Sequence, residues 1–186
     1  MLFRASPSRV RAFLDRQRSL PLTYDAVGAT ARGETPPGFD SDHNRRLLGR
    51  GATTFEHAKA AVRAWTMFPR PWTAIEPEHA PIETNGVVAV HVRLLRLWWL
   101  NASRIVYVVD EPRRFGFAYG TLPGHAEHGE ERFLVEWLAD DTVWYDLRAF
   151  SKPRHVLARL VYPITRAYQR RFGRASKAAM ARATQS

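Results

Sequence analysis

Five ionisable residues crowd one short stretch of this chain: His125, Glu127, His128, Glu130 and Glu131. Imidazole nitrogen and carboxylate oxygen can ligate a metal together, or hand a proton back and forth once their surroundings bring both near the working pH. The spacing matches no named metal motif, which leaves general acid and base work as the chemical reading and a solvated hairpin tip as the plain one. Neither a metal nor a cofactor is expected. Tyr119, Trp144, Tyr145 and Asp146 form a second group. Aromatics at strand spacing serve as core, and inward-facing ones also line any cavity that the fold encloses.

The elements that must position these residues are four strands, read over Arg104 to Asp110, Arg114 to Leu122, Arg132 to Leu138 and Thr142 to Phe150. In the second, Phe115, Phe117 and Tyr119 point one way and Gly116, Ala118 and Gly120 the other, because side chains alternate along a strand. One face is aromatic and the other nearly bare, so a packed element or a ligand comes close there. Ala139-Asp140-Asp141 reads as the tight turn between the last two strands. Short connections between successive strands predict an antiparallel meander.

Upstream, Ser6-Pro7 reads as a helix cap leading into Arg9 to Arg18, with Val10, Phe13 and Leu14 at helical spacing and an end before Pro21. Leu22 to Thr30 reads as a strand and Arg32 to Asn44 as a loop. Leu47 and Leu48 then run into Gly49 and Gly51, and Thr53 or Thr54 is expected to cap a helix from Phe55 to Met67 with Phe55, Ala58, Val62 and Trp65 along one stripe. The glycine pair lacks the lysine and hydroxyl of a phosphate-binding loop and the third glycine of a dinucleotide fingerprint, so it reads as a bend from strand into helix. Trp72 anchors a proline-rich segment. Val87 to Leu100 reads as one long strand with Val88, Val90, Val92 and Leu94 on one face and His91 and Arg93 on a half-exposed one, where the pair is surface or an anion contact.

The last element is a helix from His155 to Phe172, with Leu157, Leu160, Val161, Ile164, Tyr168 and Phe172 on one face, Arg159, Arg166 and Arg170 opposite, and a kink at Pro163. Ala175 to Ser186 reads as a frayed end. All 18 acidic residues lie at or before Asp146, so the basic tail beyond it carries the net charge of +10. Such a block steers anionic partners or is the solvated face of a helix. It lacks the interleaved aromatics of a single-strand-binding groove, which disfavours nucleic acid.

With 186 residues the chain holds one substantial domain, 21–186, preceded by a helical extension over 1–20. It has no cysteine, which excludes disulfides and thiol chemistry. No apolar run reaches membrane-spanning length, and Met1 to Leu20 alternates arginine with apolar residues rather than forming a secretory core. A soluble cytoplasmic protein is expected.

Phe115-Gly-Phe-Ala-Tyr-Gly-Thr-Leu-Pro-Gly-His125, Gly129-Glu-Glu-Arg-Phe133, Val143-Trp-Tyr-Asp-Leu147 and Phe150-Ser151 resemble the family called domain of unknown function 1990, or UPF0548. Leu22-Thr-Tyr24, Val27-Gly-Ala-Thr30, Leu48-Gly-Arg-Gly51, Tyr162-Pro163 and Gln169-Arg-Arg-Phe172 extend the resemblance from Leu20 to about Met180. The chain departs from the family pattern at Ala126, where proline is usual, and at His128, where a small polar residue is usual.

The resemblance implies an α+β fold of the helix-grip, START-like and Bet v 1-like (SRPBCC) kind, a curved antiparallel sheet wrapped around a long carboxyl-terminal helix. It implies a small or elongated apolar ligand held between sheet and helix, with Phe117, Tyr119, Trp144 and Tyr145 lining the cavity. Gly124-His125 and Glu130-Glu131 belong to the family pattern, so an enzyme of hydrolase or lyase type would use His125 and Glu131 as acid and base. A third expectation is a module that meets an anionic partner, nucleic acid or a membrane surface, through Arg159, Arg166 and Arg170.

Overall fold

Strict alternation in the second half of the chain becomes sheet, and the helical periods on either side become its cover. The computed structural model describes residues 4–94, 96–154 and 162–185. The strands are β1 (Asp40–Arg50), β2 (Thr73–Glu76), β3 (Val87–Leu94), β4 (Leu97–Glu111), β5 (Arg114–Thr121), β6 (Glu127–Trp137) and β7 (Thr142–Pro153). They form one antiparallel sheet in the order β1-β7-β6-β5-β4-β3-β2. Helix α1 (Pro7–Gln17) and the short α2 (Ala29–Arg32) precede β1, α3 (Gly51–Arg63) follows it, and α4 (Tyr162–Ala183) ends the described chain.

Helices α3 and α4 lie on the same face of the sheet, the inner one. Phe55, Ala58 and Val62 of α3 and Met180 and Ala181 of α4 share a core with Phe117, Phe133, Val135 and Tyr145 of the strands. Burying such side chains contributes about 1.5–3 kcal/mol each, which outweighs the helix propensities and places both helices. Tyr145 Oη and Ser176 Oγ, 2.8 Å apart, fasten α4 to β7 from within this core. The aromatic face read for β5 is buried here: Trp65 stands 4.8 Å and Phe133 5.3 Å from Phe117, centroid to centroid.

The outer face is covered by the first forty residues. Val10 and Leu14 of α1 pack on Val87, Ala89, Ala102 and Leu122, and Tyr24, Ala29 and Phe150 form a third cluster with Phe39 against it. The bare side of β5 faces this cover. A Cβ on Gly120 would stand 2.2 Å from Tyr24 Oη, so glycine is required for the tyrosine to lie there.

The strand-to-helix bend at the glycine pair is as expected, with Gly51 at φ 82° opening α3. Several boundaries differ from expectation. Leu22 to Thr30 is irregular chain ending in α2, since only Thr23 makes a backbone-to-backbone bond to the sheet, at Thr121. The stretch read as a loop before Asn44 already contains the start of β1. α3 begins at Gly51 with no side-chain cap, and Thr54 instead donates to the Arg50 carbonyl at 2.7 Å. The single strand read over Val87 to Leu100 is the β3–β4 hairpin, turned at Arg96 with φ 67°. Of the helix expected from His155, Leu157, Arg159, Leu160 and Val161 lie outside the described residues. Pro163 is the second residue of the described span, so no described turn precedes it to be kinked. The tail is no frayed end: Ser176, Ala179, Met180 and Ala181 are buried.

Candidate functional site

Strand β6 starts at Glu127, so the ionisable cluster is not a hairpin tip. Glu127, Gly129, Glu131, Phe133 and Val135 alternate along the inner face, while His128, Glu130 and Arg132 face outward. Gly129 at φ 153° adopts a backbone that side chains rarely take, and a Cβ there would meet the Phe150 carbonyl at 2.0 Å. This pinch brings β6 against β7 between the two inward glutamates.

Above them a cavity of about 570 Å³ opens between the sheet and α4. Its apolar side is supplied by Phe68, Trp72, Val90, Val92, Trp99 and Phe172; its polar side by Asp42, Tyr119, His125, Glu127, Glu131 and Gln169. The division follows strand order, because β3 and β4 lie toward one edge of the sheet and β6, β7 and β1 toward the other. A volume of this size suits a small organic ligand, and mostly apolar walls with a few convergent polar groups are the usual make-up of such sites.

On the polar side, Tyr119 donates to Glu131 Oε2 at 2.7 Å. Gln169 Nε2 donates to Glu127 Oε1 at 2.8 Å and to Ser151 Oγ at 3.0 Å, which ties α4 to the floor of the cavity. Arg166 binds Asp42 with both guanidinium nitrogens and donates to Gln169 Oε1 at 2.6 Å. Burial pushes the Glu131 carboxyl up to about 7 against the opposing Tyr119 hydrogen bond, with the Glu127 charge adding to the rise. Burial likewise brings Glu127 to about 7, although Gln169 and Arg166 favour its ionised form. His125 moves the other way, to about 4, because burial disfavours the imidazolium; its Nδ1 accepts the Glu127 amide at 3.0 Å.

The expected site residues are divided by this geometry. His125, Glu131 and Tyr119 all line the cavity, yet no hydrogen bond joins His125 to Glu131 among the described residues. Phe117 and Tyr145 face inward but are packed into the core beneath α3 and α4, away from the cavity wall. Trp144 points to the outer face, where Arg45 stacks on its ring at 5.0 Å, because it is one residue out of phase with Tyr145. Arg166 is engaged with Asp42 and Gln169 rather than presented to a partner, Arg170 is exposed, and Arg159 lies outside the described residues. The residues missed were Asp42 and Gln169, together with Trp99; Glu127 was named within the ionisable cluster, but its inward orientation was not read. Continuing the alternation of Phe133 and Val135 three steps upstream would have placed Glu131, Gly129 and Glu127 on the inner face.

The outer face holds polar networks that build the structure. Glu130 accepts from Tyr24 Oη at 2.8 Å and from the Gly28 and Thr30 amides at 2.7 and 3.0 Å, and also from the Thr30 hydroxyl. Asp146 receives Arg132 at 2.7 Å, His43 Nε2 at 2.8 Å and Arg45 at 3.1 Å. Burial raises the Asp146 carboxyl, but the hydrogen bonds from His43 and Arg132 and the Arg132 charge outweigh it, holding the group below the usual carboxylate range. His91 is the exception. It is fully buried rather than half-exposed, neither ring nitrogen has a hydrogen-bond partner among the described residues, and desolvation lowers it to about 4.

A seven-stranded antiparallel sheet gripping a carboxyl-terminal helix over a cavity defines the START/Bet v 1-like helix-grip class. The Zhui aromatase/cyclase of Streptomyces sp. R1128 has this fold, with a TM-score of 0.59 at 14% identity over 79% of this chain and 94% of its own. Within the class, the chain belongs to the family described as domain of unknown function DUF1990, whose model matches residues 23–179. It is 38% identical to a UPF0548 protein of Deinococcus radiodurans over 180 residues, covering 91% of this chain and 90% of the relative. It is 34% identical to a UPF0548 protein of Dictyostelium discoideum over 188 residues, covering 90% and 87%. Among the described residues no helix is long and apolar enough to cross a membrane, and no group of three or more His, Asp or Glu is placed to hold a metal ion.

Proposed function

We propose that this protein binds an elongated, mainly apolar small molecule between the sheet and α4, with one polar group of that ligand set against Glu127 and Glu131. The cavity carries this reading. Its aromatic wall of Phe68, Trp72 and Phe172 offers mainly apolar area, and its polar side concentrates in one place the groups that would orient a ligand. Two carboxyls near pKa 7 stand ready to accept or donate a hydrogen bond at neutral pH, so a hydroxyl, carbonyl or amine on the ligand finds a partner. The test is native mass spectrometry of the purified chain followed by extraction, beside a thermal-shift panel of fatty acids, sterols and polycyclic aromatics. A co-purifying apolar molecule, or a raised melting temperature with one class that Phe172→Ala diminishes, supports the reading. A bare mass and no shift with any class overturns it.

The Glu131 carboxyl favours a second reading, proton transfer on a bound carbonyl compound. Glu131 is poised near neutrality and held by Tyr119 at the cavity wall, as a general base is. His125, neutral at pH 7, would serve as a hydrogen-bond partner for substrate rather than as the acid. Deuterium exchange next to the carbonyl of cavity-sized ketones, followed by NMR in heavy water, checks this: exchange that Glu131→Gln abolishes supports it, and equal rates in the variant reject it.

A further inference from the structure

The β3–β4 hairpin outruns the sheet it belongs to. On one side β2 stops pairing where Thr73 meets Val92, with one further bond from the Arg93 amide to the Trp72 carbonyl. On the other, β5 stops where Thr121 meets Ser103, with one further bond from the Leu122 amide to the Ala102 carbonyl. Beyond those points the two strands have only each other. The register pairs Val92 with Trp99 and Leu94 with Leu97, which puts all four side chains on the inner face. Leu94 and Trp99 line the cavity, and Trp99 is still 49% exposed and Leu97 37% exposed. The tip is therefore the rim of the cavity, and its rim is apolar.

The charge on the hairpin tip itself has one sign. From Arg93 to Arg104 the only charged residues are arginines, Arg93, Arg96 and Arg104, and Arg93 and Arg96 are exposed at the tip. A fourth, Arg171 on α4, stacks on the cavity residue Trp72 at 4.6 Å. Exposed tryptophan and leucine flanked by arginine is the chemistry of the bilayer interface, where the indole sits at headgroup depth and the guanidinium meets lipid phosphate.

We propose that the β3–β4 tip docks this protein on an anionic lipid bilayer, with Leu97 and Trp99 inserted and Arg93 and Arg96 on the headgroups, so that the mouth of the cavity faces the membrane. The purpose of the contact rests on the cavity reading, whereas the contact itself does not. A bilayer suits the tip because a protruding two-stranded ribbon carries too little area for a stable protein interface, while two apolar side chains and a basic collar suffice for reversible membrane attachment.

The test uses the full chain with vesicles of phosphatidylcholine alone or mixed with phosphatidylserine, followed by sedimentation and native mass spectrometry. The parent protein is expected to sediment with the anionic vesicles, less so as salt rises. Leu97→Ala with Trp99→Ala should weaken this at least about tenfold, and Arg93→Gln with Arg96→Gln should remove most of its salt dependence, both variants keeping the parent's circular dichroism. If neither vesicle type binds, or the alanine pair sediments like the parent, the proposal is overturned. A dimer that the alanine pair dissociates, with no vesicle binding, overturns it too and assigns the tip to a second copy. Ligand retention is read separately, so vesicle binding by an empty protein leaves the docking surface standing and removes only its cargo.

Discussion

Glu130 and Glu131 are neighbours in sequence and stand on opposite faces of the same strand. Glu130 turns outward into a ring of donors, the Tyr24 and Thr30 hydroxyls and the amides of Gly28 and Thr30. Glu131 turns inward to a single donor, Tyr119, at the edge of a cavity. Every lone pair of Glu130 is committed to holding residues 24–30 on the sheet. Glu131 has acceptor capacity to spare, and burial leaves its charge poorly compensated. The contrast separates structural from functional polarity by a simple measure, the number of donors the protein itself supplies. A saturated carboxylate builds the fold, and an unsaturated one at a cavity is free to meet something else.

The largest break in this comparison should come from Glu130→Ala. It leaves two amides and two hydroxyls without their acceptor, and a cost of about 3 kcal/mol or more is expected in urea unfolding. A loss under about 0.5 kcal/mol would show that water replaces the carboxylate and that the outer network is not structural. Glu131→Gln should behave differently. A carboxyl raised from 4.5 to about 7 in the fold binds its proton more tightly there than in the unfolded chain, so its contribution is full below pH 4.5 and fades as pH climbs through 7. The variant should therefore gain on the parent at alkaline pH, by roughly 1 kcal/mol at pH 9, a figure discounted from the full shift because the group borders a cavity. Parallel stability profiles for the two proteins from about pH 4 to pH 9 would remove Glu131 from the list of strained groups. Glu127 acts in the same direction and remains in both.

His91→Leu should have the smallest effect at neutral pH, within about 1 kcal/mol of the parent, because a buried ring with no hydrogen-bond partner gives up little to an apolar side chain. The difference appears in acid. The histidine falls from 6.5 to about 4 on folding, so its neutral form is stable in the fold above pH 6.5, and that stability is lost as pH drops toward 4. Thermal unfolding followed from pH 7 to 4 should decline less steeply in the variant, although His125 leaves part of the slope. An unchanged acid slope would mean that the ring takes up its proton equally in the folded and unfolded chain, and so is not desolvated in the fold.

Strands β5 and β7 were legible because Phe115, Phe117 and Tyr119, and then Val143, Tyr145 and Leu147, keep strict alternation with one apolar face. Strand β1 was largely illegible: Asp42, His43, Asn44, Arg45 and Arg46 contain no apolar residue, since this edge strand borders the cavity's polar side with one face and an ion-pair network with the other. The β3–β4 turn gave no signal either. It uses neither glycine, proline nor asparagine, and Arg96 takes the left-handed backbone between leucines. His91 was read on an exposed face because nothing in Val87 to Leu94 reveals that α1 comes back to cover it. For the cavity, the cluster His125 to Glu131 was visible but its orientation was not, because charged residues before Arg132 looked like the end of the strand. Which aromatics border empty space depends on where α4 crosses, and no local pattern encodes that.

The pairing of β1 with β7 sets the order in which this molecule can assemble. Asp40 lies beside Ser151, so the first strand must wait for nearly all the rest of the sheet before it has a partner. Strands β3 to β7 need only their sequence neighbours. During synthesis the meander can zip up hairpin by hairpin while β1 stays unpaired, and the part of the inner face that α4 covers remains bare until that helix leaves the ribosome. Long-range closure of this kind places folding on the order of milliseconds to seconds rather than microseconds. The unfinished chain meanwhile shows the apolar surface that will later border the cavity, the stage at which such a protein most needs a chaperone.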